Sequence, residues 1–179
     1  MKNSLIALAI AAAPACPAFA AGNTINFKGE VSDQTCDVTV NGTAANPTVL
    51  LPAISASELS TAGSTAGRTT FTIGVSGCTA PVNAAQSIAT IFVGNQVTQG
   101  GNLGNTGTAT NVALQLLDPA APSAPFNLNE AGGHVASGIN LSAGQTSASH
   151  DFAVQYITET GGATAGSVRG SVQYQVSYR

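Results

Sequence analysis

Two cysteines give the clearest chemical signal in the sequence. Cys36 and Cys78 are separated by roughly forty residues, and a third cysteine, Cys16, falls in an N-terminal segment that has the features of an export signal. Two cysteines in an exported chain predict one disulfide, and closing a ring of that size is worth about 4 kcal/mol in the chain-entropy model. Two buried free thiols are the alternative. Without a histidine at ligand spacing, the pair does not predict a zinc site.

The other groups that could do chemistry are scattered. His134 and His150 have no carboxylate or cysteine at metal-ligand spacing, which favours exposed loop histidines and no metal site. Asp33 and Asp37 flank Cys36 but do not define a catalytic carboxylate pair. The chain has no Gly-x-Ser-x-Gly motif, and its glycine-rich stretch beginning at Gly100 lacks the strand–helix context of a phosphate loop. We therefore predict no enzyme activity and no cofactor.

The first twenty residues predict a secretory signal peptide. Lys2 is followed by an apolar run, and Ala18-Phe19-Ala20 has the small-x-small pattern of a cleavage site, which makes Ala21 the first mature residue. The apolar run is too short to span a membrane as a helix. A lipoprotein interpretation of Cys16 is disfavoured because the residues before it are Ala-Pro-Ala, without a leucine.

The composition of the mature chain argues against a nucleic-acid partner. Only 7% of the whole chain is charged, compared with about 25% in ordinary domains. Once Lys2 is removed, four basic residues face eight acidic ones, a net charge near −4 with no basic patch. A surface built from serine, threonine, asparagine, glutamine and glycine suits a protein that works outside the cell and packs against copies of itself.

The most regular alternation of apolar and polar residues lies at the C terminus. We expect the rest of the chain to be organised around the strand that it predicts. From Val168 to Arg179, apolar and polar residues alternate with the period of two that is typical of a half-buried strand. Because the strand is so apolar and nothing follows it, it must pair within the domain or with another chain. The apolar set is Val168, Val172, Tyr174, Val176 and Tyr178.

Six or more other short strands are predicted, separated by turn signals and without a convincing helix. A first strand over 23–31 continues through Val38 and Val40 to a turn at Asn41-Gly42. An edge-like segment at 47–52, and residues 126–128, are shorter candidates, and 94–107 and 132–149 are expected to be loops. The remaining strands are expected at 70–78, 88–93, 111–118 and 152–157. This pattern predicts an all-β antiparallel sandwich.

Several features in this order resemble a family. They are Phe27-Lys-Gly-Glu-Val followed by Cys36, the strand that ends at Cys78, the stretch from Ala109 to Asp118, Gly166 at the fourteenth position from the end, and the penultimate Tyr178. Together they resemble the structural pilins of chaperone–usher fimbriae, the type 1 fimbrial major-subunit family. Leu51-Pro-Ala-Ile-Ser55 with Ala66-Gly-Arg68 is similar to Bordetella-type fimbrial subunits.

The resemblance implies an incomplete immunoglobulin-like β-sandwich that lacks one strand and is completed by a donor strand. In this family a periplasmic chaperone fills the groove first, and at the outer-membrane usher the N-terminal arm of the next subunit replaces it, a form of strand addition. The implied partners are copies of the chain and other pilin subunits, that chaperone and usher and, through the assembled fibre, a host-surface receptor. The implied location is the cell-surface fimbrium, reached through the periplasm.

The resemblance also implies roles for particular residues. The domain would occupy 32–179, and the donor arm 21–31 would insert Ile25 and Phe27 into a neighbour. Cys36 and Cys78 would join the first two core strands. The acceptor groove and chaperone-binding surface would comprise Val168, Val172, Tyr174, Val176, Tyr178 and the terminal carboxylate of Arg179.

Two alternatives stay open at this point. The arm is short, with Asn23 where family members often have glycine, which would also suit a minor subunit that terminates or anchors the fibre. A carbohydrate-binding tip adhesin is the other alternative, since tyrosines such as Tyr156 stack on sugars in some proteins. Family adhesins with two domains are about twice as long, and this chain has no tryptophan, which argues against the adhesin.

Overall fold

The computed structural model describes residues 36–44 and 46–178. The predicted signal peptide, the donor arm with Ile25 and Phe27, the strand at 23–31 and Arg179 lie outside these residues. The described part contains one 3₁₀ helix, Ala56–Leu59, and eight strands. The strands are β1 Asp37–Val40, β2 Thr65–Ser76, β3 Gln86–Gly94, β4 Leu103–Gly104, β5 Ala113–Leu117, β6 His134–Leu141, β7 Ala148–Ile157 and β8 Val172–Tyr178. The prediction of an all-β chain is confirmed.

The strands form two antiparallel sheets with an aromatic core. The first sheet has the order β1-β2-β7-β5-β4 and the second the order β6-β3-β8. Phe71 and Phe152 of the first sheet meet Phe92 of the second, with ring centroids 5.2 Å apart for Phe92 and Phe152 in an edge-to-face arrangement. Such contacts between large buried rings stabilise a sandwich beyond the area that they bury.

The hairpin turn and the disulfide agree with the sequence predictions. Asn41 and Gly42 both have positive φ angles, 49° and 75°, as the predicted tight turn requires. Cys36 and Cys78 form a disulfide. Because Asp37 pairs with Ser76, the bond closes the β1–β2 ladder one or two residues beyond its last pair.

One strand was missed because a bulge disrupts its alternation. The predicted loop at 132–149 contains β6, whose inward residues Ala136, Ile139 and Leu141 are buried but not evenly spaced. Between the pairs Ile88↔Ile139 and Thr90↔Ala136, β6 has one residue more than β3. The extra residue sits next to Gly138, which has a φ of 150°. A β-bulge shifts the inward parity by one, so a period-two search reads such a strand as a loop.

Four smaller predictions were also wrong. Residues 47–52 belong to no described strand, and Phe126 and Leu128 are buried side chains in irregular chain. The predicted loop 94–107 contains the two-residue strand β4, because hydrogen bonding of Leu103–Gly104 to β5 makes a ladder too short to show a sequence pattern. The last strand begins at Val172 rather than Val168, after a segment that crosses between the sheets.

Candidate binding groove

An open groove of about 750 Å³ runs between the two sheets. Its floor is the apolar core, to which β2, β3, β5 and β7 all contribute. Phe92 and Ile73 are among the most buried side chains of the domain, yet both face this space. The floor residues are Phe71, Ile73, Phe92, Leu103, Leu114, Leu116 and Val154. The groove is therefore a gap in the core itself rather than a depression on the surface.

The first wall is β8 and the residues that lead into it. Gly170, Ser171, Val172, Gln173 and Tyr174 all line the groove. β8 is the edge of its sheet and pairs with β3, and no strand of the described residues lies on its other side. The backbone of Val172–Tyr174 therefore borders the groove at the edge of its sheet, which is the arrangement to which another strand can add.

The alternation predicted for the last strand is present, but its apolar side is incompletely covered. Val172, Tyr174 and Val176 are only half-buried, whereas Gln173 and Gln175 are exposed. Of the residues predicted to form a groove, Val172 and Tyr174 line it. Val168, Val176 and Tyr178 are half-buried residues packed against the core and do not line it.

The second wall was not predicted as part of the site. It consists of Val40 at the end of β1 and of residues 46–49 with Leu51. In this segment Val49 and Leu51 face the groove while Leu50 is 83% exposed, so a strand-like alternation persists without a ladder. Pro47 and Pro52 lack the N–H that a strand interior needs, and this explains the irregular backbone. The same alternation between two prolines was the available signal in the sequence.

Tyr156 ties this wall to the first sheet. Its hydroxyl donates a hydrogen bond to the Pro52 carbonyl oxygen, 3.1 Å away. Its ring lies so close to Gly67 that a Cβ there would stand 2.8 Å from a ring carbon. Burial raises the pKa of the Tyr156 hydroxyl above its ordinary value, so this side chain stays a neutral donor at physiological pH.

The rim of the groove carries neutral polar groups. Asn95 donates from Nδ2 to Ser171 Oγ at 2.8 Å and accepts from Gln173 Nε2 at 2.9 Å. Every described residue that lines the groove has an apolar or a neutral polar side chain. An apolar floor with neutral rims favours an uncharged, extended apolar segment over an ion or a phosphorylated metabolite.

The prediction of isolated loop histidines was wrong. His134 begins β6 and lies 3.0 Å from the Glu130 carboxylate, while His150 lies in β7, 2.9 Å from that of Asp118. His150 and Asp118 are distant in sequence, so spacing could not reveal this pair. Within residues 36–44 and 46–178, no group of three or more histidine, cysteine or acidic side chains is arranged to hold a metal ion.

The described chain has no helix with the length and apolar character needed to cross a membrane.

Comparison with known proteins identifies the family. The model of the family described as "Fimbrial protein" matches residues 25–179. The F17 fimbrial protein of Escherichia coli is 37% identical over 95% of this chain and 94% of its own length. The major fimbrial subunit SMF-1 of Stenotrophomonas maltophilia is 34% identical over 94% of this chain and 99% of its own length.

A solved structure shows the same fold. The P pilus rod subunit PapA is 12% identical in sequence, and its crystal structure matches with a TM-score of 0.55 over 80% of this chain and 99% of that one. The chain belongs to the fimbrial protein family and is a structural pilin subunit of cell-surface fimbriae.

Proposed function

We propose that the groove accepts a β-strand from another polypeptide and that the subunit polymerises by donor-strand exchange. The observation that carries the proposal is an apolar core left open beside an edge strand. Unpaired buried backbone groups and exposed core each cost free energy until a strand covers them. One added strand meets both requirements, because its backbone pairs with β8 while alternate side chains fill the floor.

We propose that the occupant in the fibre is the N-terminal arm 21–31 of the next subunit. In its sequence Ile25, Phe27 and Val31 share one parity with Gly29, and the intervening residues are polar. Such an arm presents one apolar face, as the floor requires. With this arm we also propose a signal peptide at 1–20 and a pilin domain at 32–179.

Before assembly the groove needs a temporary occupant. A subunit with an open core would aggregate in the periplasm, because transiently exposed apolar surface and strand edges associate nonspecifically. A periplasmic chaperone that lends a strand fulfils this role, with the carboxylate of Arg179 as its anchor, and an outer-membrane usher then exchanges the strand. The fibre so formed supports adhesion to host surfaces.

We also propose that the subunit is not an enzyme. The groove holds no acid, base or nucleophile paired for proton transfer among its described lining residues, which a catalytic pocket would need. The two histidine–carboxylate pairs lie outside it.

A thermal melt tests the proposal. The mature chain lacking residues 21–27 is melted with and without a synthetic peptide of residues 21–32. A rise in melting temperature that grows with peptide concentration is expected, because ligands of the native state stabilise it by mass action. The same peptide carrying Phe27→Asp is the control and should have little effect. An equal melting temperature with and without the peptide would contradict the proposal.

A further inference from the structure

The Asn105 side chain makes four hydrogen bonds to backbone groups beside one end of the groove. Its Oδ1 accepts hydrogen bonds from the backbone N–H groups of Gly107 at 2.7 Å and Arg169 at 2.8 Å. Its Nδ2 donates to the carbonyl oxygens of Ala109 at 2.7 Å and Ser167 at 3.5 Å. One half-buried carboxamide thus holds two separate pieces of backbone, the loop after β4 and the chain that enters β8.

These two pieces run side by side without forming a described strand. Backbone bonds link Thr106 N to Arg169 O at 2.8 Å and Ala109 N to Ser167 O at 3.0 Å. The intervening positions are joined through side chains, with Thr108 N donating to Ser167 Oγ and Ser167 N donating to Thr108 Oγ1. The two pieces of backbone approach so closely that a Cβ on Gly107 would stand 2.1 Å from the carbonyl oxygen of Ser167.

The position of this contact relates it to the groove. Leu103, two residues before Asn105, belongs to the floor, and Gly170, directly after Arg169, begins the β8 wall. A Cβ on Gly170 would lie 2.9 Å from Leu114 Cδ1, so the wall and floor already meet closely here. Asn105 therefore joins the two sheets at the end where the groove closes.

We propose that Asn105 is a positioning residue for donor-strand uptake, because it fixes the gap between the floor and the β8 wall at the Gly170 end of the groove. The proposal rests on the proposed acceptor role of the groove. A wall held in place before binding loses less conformational freedom when the strand arrives, and this raises affinity. Without the Asn105 carboxamide, which we call the clamp, the backbone N–H groups of Gly107 and Arg169 lose the acceptor Oδ1. The chain that enters β8 is then held less firmly.

The test compares Asn105→Ala with Asn129→Ala in the full mature chain 21–179. Asn129 also bonds two backbone carbonyls, those of Thr98 and Gln99, but unlike Asn105 it makes no bond to the chain that enters the β8 wall. Fluorescence anisotropy measures binding of a labelled peptide of residues 21–32, and hydrogen exchange measures protection of the Ser171–Tyr174 amides without peptide. For Asn105→Ala we expect Kd to rise about tenfold, mostly through faster dissociation, as is usual for variants of one interface.

The controls separate the possible failures. Equal Kd values and equal exchange for the two variants would overturn the role of Asn105 while leaving the acceptor groove in place. If the wild-type chain does not bind the peptide, the acceptor proposal fails, and unchanged exchange in Asn105→Ala would then overturn the clamp as well. If Asn105→Ala does not fold, Asn105→Asp, which loses both donated bonds and places a carboxylate oxygen against the carbonyl oxygens of Ala109 and Ser167, is compared with Asn129→Asp. A Kd change for Asn105→Asp no larger than that of its control would refute the proposal.

Discussion

β7 and β8 have similar sequence patterns and opposite surroundings. Both alternate aromatic or aliphatic residues with polar or small ones. β7 lies between β2 and β5, and every residue from Phe152 to Thr158 is buried. β8 pairs with β3 at the edge of its sheet, and its apolar residues are half-buried. The alternation specifies a strand with one apolar face, whereas the neighbours decide whether that face is covered.

The different surroundings of β7 and β8 predict which substitutions affect stability and which affect assembly. Phe152 and Gln155 of β7 are buried and lie outside the groove lining, so their substitution should affect folding regardless of any partner. A groove-facing side chain of β8 is expected to gain contacts when a donor strand arrives, so its substitution should affect mainly binding.

The largest effect is expected for Phe152→Ala in β7. Phe152 is fully buried and contacts the rings of Phe71, Phe92 and Phe126. Removing the ring should lower the free energy of unfolding by about 3–5 kcal/mol, the usual cost of a large cavity in a core. Urea unfolding monitored by circular dichroism measures this loss. The loss of unfolding free energy should be the same with and without the donor peptide. A loss seen only with the peptide would contradict the assignment of β7 to folding rather than to binding.

The reverse result is expected for Val172→Asp in β8. This position lines the groove and is half-buried without a donor strand. The free energy of unfolding without peptide should fall by about 1 kcal/mol, less than for Phe152→Ala, because the Val172 side chain is only half-buried. Peptide affinity should fall at least about a hundredfold, because the added strand would bury an unpaired carboxylate. Isothermal titration calorimetry measures the affinity, with Val172→Ile as the matched apolar control. Wild-type affinity in Val172→Asp would contradict the assigned role of this wall.

The polar residues of the two strands sharpen the comparison. Gln155 of β7 is 4% exposed, accepts from Arg68 Nε at 3.0 Å and donates to Gln115 Oε1 at 2.8 Å. Gln155→Ala should lower the free energy of unfolding by about 1–3 kcal/mol, because it removes one hydrogen bond with exposed, charged Arg68 and one with half-buried Gln115. Thermal unfolding by calorimetry is the measurement. An unchanged melting temperature would show that these two side-chain hydrogen bonds do not stabilise β7.

The smallest effect is expected for Gln175→Ala, the matched change in β8. Gln175 is exposed on the outer face of its sheet and lies outside the groove lining. Its substitution should change the free energy of unfolding by less than about 0.5 kcal/mol and leave peptide binding intact. The same calorimetric and titration measurements apply. A loss of binding would show that the donor strand contacts the outer face of β8 rather than its groove side.

The sequence predicted the regular elements well and the exceptions poorly. The positions of β5, β7 and β8 follow from apolar alternation, and that of β3 follows from a continuous apolar run. The turn at Asn41-Gly42 follows from two residues that tolerate positive φ. β6 was missed because its bulge shifts the inward face between Ala136 and Ile139. Apolar alternation is a property of a single strand, whereas a bulge depends on how two strands pair. The alternation therefore does not predict a strand that contains a bulge.

The groove was predicted only in part, for a related reason. Val172 and Tyr174 belong to a periodic strand, so their face could be assigned. The wall at 46–51 has no ladder, and the floor depends on which strands the topology brings together. Asn105 binds Arg169, which is 64 positions away, and such a contact leaves no local signature. Pairing across the sandwich is a tertiary property that a single sequence does not display.

Disulfide trapping tests the central claim most directly. Chains with Phe27→Cys or Ile25→Cys in the arm are mixed with chains that carry Val172→Cys in the groove wall, and fibres are assembled and oxidised. Val82→Cys, at a position that is 87% exposed and outside the groove, is the control. The account predicts mixed dimers on non-reducing gels with Val172→Cys and not with Val82→Cys. Fibres that assemble normally yet give no Val172-dependent dimer would show that the arm does not occupy this groove.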